Sequence, residues 1–271
     1  MTTPEQADSM DSLGHFVAQW AGWAPILLFV LLGLLELTVG HRDAGLSPMK
    51  RVATNVSLYV IAALVAFAVP LTIASAAAWA ARSGVGLFNT VAAPALLVLM
   101  IAILARSFTA YWLHRASHRI PLLWRLHRIH HGDHMVDISL GLRHHPLELI
   151  PAIVVFAGLA ILLGLPVWAA LLTEAVMIAA TYWEHLAIRL PAGARAGLEP
   201  WIVLPETHLL HHSADRRQTD SNYSTLTIIW DRMFGTFRPS NEAVKRIGLG
   251  EFDDQIADSL WQQLLLPLRQ P

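Results

Sequence analysis

Eight histidines in three tight clusters constrain this chain more than any other feature. They are His114 and His118 in HRASH, His127, His130 and His131 in HRIHH, and His208, His211 and His212 in HLLHH. Residues three and four apart share one helical face, with Cβ atoms roughly 5–6 Å apart. Each cluster therefore predicts a helix that carries its imidazoles on one side. Twelve of the 14 histidines lie between His114 and His212. A fold that brings the three faces together collects eight nitrogen ligands, too many for one metal ion and suited to two. Scattered loop histidines are the bland alternative, and a repeated H-x-x-H-H in one chain argues against it.

The setting is apolar. The chain is 55% hydrophobic and 14% charged, where soluble domains carry about 25% charged residues. A net charge of −1 gives no polyelectrolyte signal, so nucleic acid is not expected as a partner. The absence of cysteine excludes disulfides, cysteine-ligated zinc and a built-in iron–sulfur cluster. The first 20 residues contain no Lys or Arg, so no cleaved secretory signal is expected there.

A bilayer-spanning helix needs about 20 mostly apolar residues. Segments 22–40 (interrupted by Glu36), 56–81 and 85–105 meet that requirement. Segment 149–183 carries only Glu174 and is divided at Gly164-Leu165-Pro166 into a hairpin that either spans or re-enters the membrane. Arg42, Lys50 and Arg51 follow the first span, and Arg106, Arg115, Arg119, Arg125 and Arg128 follow the third. The positive-inside rule then places the N-terminus outside and all three histidine clusters on the cytoplasmic side. The expected fold is all-α: a polytopic membrane helical bundle of the cell (inner) membrane with a cytoplasmic histidine-rich helical cap. Residues 1–105 would hold the tail and three spans, 106–240 the catalytic unit, and 241–271 a tail. Within that tail, Leu260, Trp261, Leu264, Leu265 and Leu268 form an amphipathic face, which suits an interfacial helix or packing within the domain.

An all-imidazole site suits iron, zinc, copper or nickel. Zinc takes four ligands per ion, and a zinc-dependent membrane hydrolase is one alternative, although HExxH is missing. A membrane metal transporter or sensor is another, although transporters place ligands near the midplane and these follow span ends. Soluble di-iron bundles use Glu-x-x-His pairs, which the clusters lack.

The boxes H-x3-H, H-x2-H-H and H-x2-H-H resemble those of the fatty acid hydroxylase / sterol desaturase superfamily, over roughly residues 105–237. HHGDHMVDISLGLRHHPLE supplies further landmarks at Asp133, Asp137, Arg143, His145 and Glu148. EHLAIRLP supplies His185, and DSNYSTLTIIWDRMFGTF supplies Asn222, Tyr223, Trp230 and Asp231. One position departs from the pattern: Ala187 stands where the family often has Asn.

The resemblance implies two iron ions held by the eight box histidines, with zinc as a less favoured occupant. It adds His185 as a ninth ligand and His145 as a candidate tenth. Ligating histidines usually donate their other N–H to a carboxylate or carbonyl. Asp133, Asp137, Glu148, Asp220, Asn222 and Asp231 are the candidate supports, with helix capping as the competing role for Asp231. His134 and His144 read as neighbours of the site, and His15 and His41 as incidental. The implied reaction is O2-dependent hydroxylation or desaturation of an unactivated C–H position in a lipid: a sterol or hopanoid, a fatty acyl chain or a related molecule. Without a flavin or nicotinamide fingerprint, electrons must come from a separate ferredoxin- or cytochrome-type protein. Arg125 and Arg128 are candidates to dock it. The sequence sets neither the substrate nor the oligomeric state.

Overall fold

The computed structural model describes residues 22–40, 49–249 and 258–269, together with residues 14, 16, 17, 19 and 20. His15, His41 and Arg42 lie outside the described residues. Eight helices position the site: α1 (Ala24–Val39), α2 (Met49–Ala68), α3 (Ile73–Ser83), α4 (Ala95–Arg119), α5 (Pro121–His131), α6 (Leu149–Leu163), α7 (Val167–Glu184) and α8 (Pro205–His211). Strand pairing among the described residues is limited to two isolated bridges, Ile202 with Thr227 and Ser213 with Ile247. The protein is all-helical, as a chain leaving water must be unless it closes a barrel, because a helix satisfies its own backbone N–H and C=O groups. Among the described residues, three stretches are long and apolar enough to cross a membrane: Met49–Thr90, Ala95–Arg119 and Pro146–Leu163. Helix α1 is shorter, at 16 residues, and exposes Leu27, Leu31 and Leu34.

Two expected spans divide differently from the sequence reading. Segment 56–81 is two helices, because α2 ends at Ala68 before Pro70 and α3 begins at Ile73. Proline can neither donate its N–H nor continue the helix. A reciprocal cap starts α3: Thr72 Oγ1 accepts the Ser75 amide at 3.0 Å, and Ser75 Oγ accepts the Thr72 amide at 2.8 Å. Segment 85–105 is broken by a single turn at Leu87–Thr90, and α4 starts only after Pro94. Helix α4 then runs unbroken for 25 residues and carries His114 and His118 beyond its apolar half.

The hairpin between α6 and α7 turns at Gly164, whose φ is +63°. A Cβ on Gly86 would fall 2.3 Å from the Gly164 nitrogen, so only glycine permits this approach of two backbones. Helices α3, α4, α6 and α7 pack around Ala76, Ala77, Ala102, Ala157, Ala160 and Ala169. Small residues let membrane helices come close when no hydrophobic gain separates protein from lipid.

A buried ionic knot fixes the loop after α5. Arg51 on α2 donates to Asp133 and Asp137, each at 2.6 Å, and to the Met135 carbonyl at 2.9 Å. Arg143 donates to Asn55 Oδ1 and to the Ile129 carbonyl, both at 2.8 Å. Burial works to raise the pKa of Asp133, but Arg143 and Arg51 outweigh it and hold the carboxyl below its usual range. Asp133 and Asp137 are thus engaged by Arg51 rather than by one of the clustered imidazoles.

The C-terminal helix Leu260–Leu265 and the turn Leu266–Leu268 pack on this unit, with Leu266 buried against Leu58 and Ile129. Trp261 and Leu268 remain exposed. Arg128 is 1% exposed and donates to the carbonyls of Leu266 and Arg269 at 2.6 and 2.8 Å. The docking role expected for Arg128 is corrected accordingly: its charge anchors the C-terminal segment and is withdrawn from the surface.

Candidate metal centre

Helix α4 brings His114 and His118, α5 brings His127, His130 and His131, and α8 brings His208 and His211, with His212 at its end. Pro121 and Pro205 each start their helix within its first turn, where the missing N–H costs nothing. His185 closes α7. These histidines form two groups whose ligand atoms lie within 4.8 Å of one another: His114, His118, His127, His131 and His211 in the first, and His130, His185, His208 and His212 in the second.

Backbone and carboxylate acceptors aim the rings. The Nδ1–H groups point to Tyr223 O for His114 (2.8 Å), Ser221 O for His211 (2.7 Å), Thr181 O for His185 (2.7 Å) and Arg143 O for His130 (3.2 Å). Nδ1 of His127 meets Glu148 Oε1 at 2.7 Å. With the proton held at Nδ1, Nε2 is a bare lone pair turned inward.

Those lone pairs face each other. His114 Nε2 lies 3.0 Å from His211 Nε2 and 3.1 Å from His127 Nε2, and His130 Nε2 lies 3.3 Å from His185 Nε2. Both Nδ1 atoms in each pair are already committed, so no proton bridges the gap, and such contacts call for a cation between them. Nitrogens bound to one ion at about 2.0–2.1 Å lie about 3 Å apart. The donor set therefore fits two metal ions. His118 Nε2, His131 Nδ1, His208 Nδ1 and His212 Nδ1 are buried without a hydrogen-bond partner. Burial pushes His211 down to about 3 and His185 to about 4, and lowers His130, His131, His208 and His212 as well. All six are neutral imidazoles near pH 7, the form that ligates.

The remaining site candidates fall in distinct places. Glu148 accepts from His127 and also meets His144 Nδ1 at 3.2 Å. Burial lowers the His144 pKa, Glu148 outweighs it, and the net shift is upward. Asp220 Oδ1 is 3.6 Å from His118 Nδ1. Asn222 takes a left-handed backbone, φ 51°, and sits between the two carbonyls that receive His211 and His114. Its side chain holds that turn through Thr207 O at 2.9 Å and the Arg238 amide at 2.8 Å. Asp231 accepts the amides of Tyr223 and Ser224 at 2.8 and 2.9 Å, and so supports His114 through the loop. His145 belongs to neither group. Its Nδ1 accepts the Leu147 amide at 3.2 Å, and its Nε2 meets Leu264 O at 3.3 Å.

Glu184 is a functional-site neighbour that the sequence did not single out, and Glu36, read from the sequence only as a charge within an apolar span, is another neighbour. Glu184 is 3% exposed, with Oε2 unpartnered and 3.7 Å from His208 Nδ1. A buried carboxylate immediately before His185, at the end of an apolar helix, was the available signal. Glu36 Oε2 accepts the amides of Ile138 and Ala187, each at 2.9 Å. A carboxylate from α1 thus reaches Ala187, the position that departs from the expected pattern.

The two groups border a cavity of about 230 Å³. His114, His127, His130, His185 and His208 line one end, and apolar side chains including Leu113, Leu126 and Met177 line its walls.

Comparison with known proteins agrees with this geometry. The chain is 32% identical to human alkylglycerol monooxygenase over 143 residues, which cover 53% of this chain and 31% of that protein. It is 27% identical to an ornithine lipid hydroxylase of Rhizobium tropici over 147 residues, 53% of this chain and 44% of the relative. It is 31% identical to a fatty acid hydroxylase of Lecanicillium over 147 residues, 48% of this chain and 38% of the relative. The chain spans about a third of the length of the alkylglycerol monooxygenases it matches. No solved structure matches it. The family model described as fatty acid hydroxylase covers residues 99–236, half of the chain, and encloses all nine clustered histidines; the chain belongs to the fatty acid hydroxylase family.

Proposed function

We propose that this protein is a membrane-bound, O2-dependent oxidoreductase that oxidises an unactivated C–H position of a lipid by hydroxylation or desaturation. The observation that carries this reading is the pairing of nine convergent imidazoles with an apolar cavity on their open side. Its relatives are named for oxidising lipids, and the three apolar stretches suit a bilayer.

In this reading the five-histidine and four-histidine groups each hold one iron ion. Bound iron would supply activation of O2 for attack on a C–H bond. The chain's own residues do the rest. Neutral imidazoles offer lone pairs without first losing a proton. Glu148, Tyr223 O, Ser221 O, Thr181 O and Arg143 O fix which nitrogen faces the ions. Apolar walls hold a hydrocarbon chain and exclude water from the reacting position. Electrons come from a separate ferredoxin- or cytochrome-type protein on the cytoplasmic side, a side favoured for the centre by the run of basic residues from Arg106 to Arg128. Residues 106–240 act as the catalytic unit and residues 1–105 as its membrane anchor.

The test is turnover of a membrane lipid extract by the iron-loaded protein with a chemical reductant and isotopically labelled O2. Consumption of O2 coupled to a hydroxylated or desaturated lipid supports the reading. Zinc that iron does not displace, with lipid hydrolysis and no O2 uptake, favours the membrane hydrolase instead.

A further inference from the structure

The cavity beside the histidines does not end in hydrocarbon. It runs between α4 and α7, past Ala110 and Thr181, to an ion pair between Arg106 and Glu174. The pair is bidentate: Arg106 Nε donates to Glu174 Oε1 at 2.6 Å and Nη2 to Oε2 at 3.1 Å. The guanidinium carbon also sits 3.2 Å over the ring of Phe156. Arg106 precedes His114 by eight residues on one helix, about 12 Å along its axis. Behind the pair lies a second, smaller void, lined by Arg106, Phe156 and Glu174 together with Thr173. The Thr173 hydroxyl is buried and has no hydrogen-bond partner.

A membrane-level ion pair is costly, and such pairs mark sites of function. A floor of this kind disfavours a terminal methyl group, which would strip water from two charges and return nothing. It also disfavours a charged group: Glu174 repels an anion, and Arg106 repels a cation. A neutral hydroxyl meets both members, donating to a carboxylate oxygen while accepting from the guanidinium N–H groups not spent on Glu174. The side chains are 12% and 25% exposed, which leaves them accessible from the cavity.

We propose that the Arg106–Glu174 pair is the recognition element for a neutral hydroxyl of the lipid substrate, anchoring it about two helical turns from the metal centre. The proposal rests on the lipid-oxidation reading and names its substrate class: an alcohol-bearing lipid rather than a bare alkane or a free carboxylate. The pair positions substrate and touches no metal ligand.

The test is equilibrium binding of tritiated hexadecanol to the full chain in nanodiscs, without O2 or reductant, with hexadecane and hexadecanoate as competitors at equal mole fraction. One or two hydrogen bonds to charged groups give hexadecanol an advantage of about tenfold or more over hexadecane. The double variant Arg106→Met/Glu174→Met removes both charges without orphaning either. It abolishes that advantage, and hexadecane binds tighter than to the unaltered chain because no charge is left to desolvate. The conservative Glu174→Gln variant retains part of it. Equal binding of hexadecanol and hexadecane by the unaltered chain overturns the proposal, as does hexadecanoate binding at least as tightly, or an advantage that survives the double variant. If the double variant does not fold, the ratio in the unaltered chain and in Glu174→Gln still decides. Binding needs no turnover, so a chain that selects hexadecanol yet never consumes O2 overturns only the oxidation reading.

Discussion

Two buried polar clusters lie close together here, and they are completed in opposite ways. In the Arg51 knot, opposite charges meet: Asp133 and Asp137 against Arg51, with Asn55, Ser139 and Arg143 taking up further donors and acceptors. In the histidine centre, lone pair faces lone pair at 3.0–3.3 Å, and His118 Nε2 is buried with no partner. Both are almost wholly buried. The knot is finished by the chain itself, so its interactions belong to folding. The centre is finished only by a cation, so folding leaves it under tension that binding relieves. A buried polar group with no partner inside the chain points to one outside it.

That contrast can be broken at either side. The largest effect belongs to the knot. Arg51→Met takes the guanidinium from Asp137 and leaves Asp133 with only Arg143, 3.8 Å away, and should cost about 3–5 kcal/mol of stability, read as a fall in thermal midpoint in detergent for metal-free and metal-loaded protein alike. A midpoint that moves only in the metal-loaded protein would join the knot to the centre and erase the distinction.

Acid should act on the centre when metal is absent. His185 titrates at about 4 and His211 at about 3 in the folded chain, against about 6.5 when unfolded. Below pH 6.5 the unfolded chain therefore binds protons that the folded chain refuses, and stability falls with pH. A loss of about 2–4 kcal/mol between pH 7 and 5 is expected from these two groups. Metal-free protein that melts at one temperature across this window would show that the imidazoles are not held neutral.

A smaller effect is expected from Glu148→Gln, which weakens the carboxylate support of His127. Metal affinity should fall about 10–100-fold, measured by competition with a chelator, while the thermal midpoint of metal-free protein stays nearly constant. Unchanged affinity would make Glu148 a partner of His144 alone.

The two clusters also differ in how legible they were. The histidine groups follow from i, i+3 and i, i+4 spacing, which is local, so the three helices and their inward faces could be read from residues 114–212. His185 came from the family resemblance, since a lone histidine at a helix end has no periodic partner. The knot was not legible: Arg51 and Asp133 are 82 residues apart, and Arg51 read only as a charge that orients a span. Arg128 misled for the same reason, because nothing local shows that the C-terminal carbonyls of Leu266 and Arg269 cover it. The division at Pro70 was lost differently. Hydropathy over a 20-residue window averages across a helix break that proline itself marks.

The most direct test of the account is metal content and oxidation state in protein purified without oxygen, by elemental analysis and Mössbauer spectroscopy, beside His211→Ala. Two groups of neutral imidazoles predict about two irons per chain, with iron lost from the five-histidine group in the variant. A full-length, folded protein that takes up no metal, or that holds the same metal after His211→Ala, would contradict the claim that the facing lone pairs are a metal site.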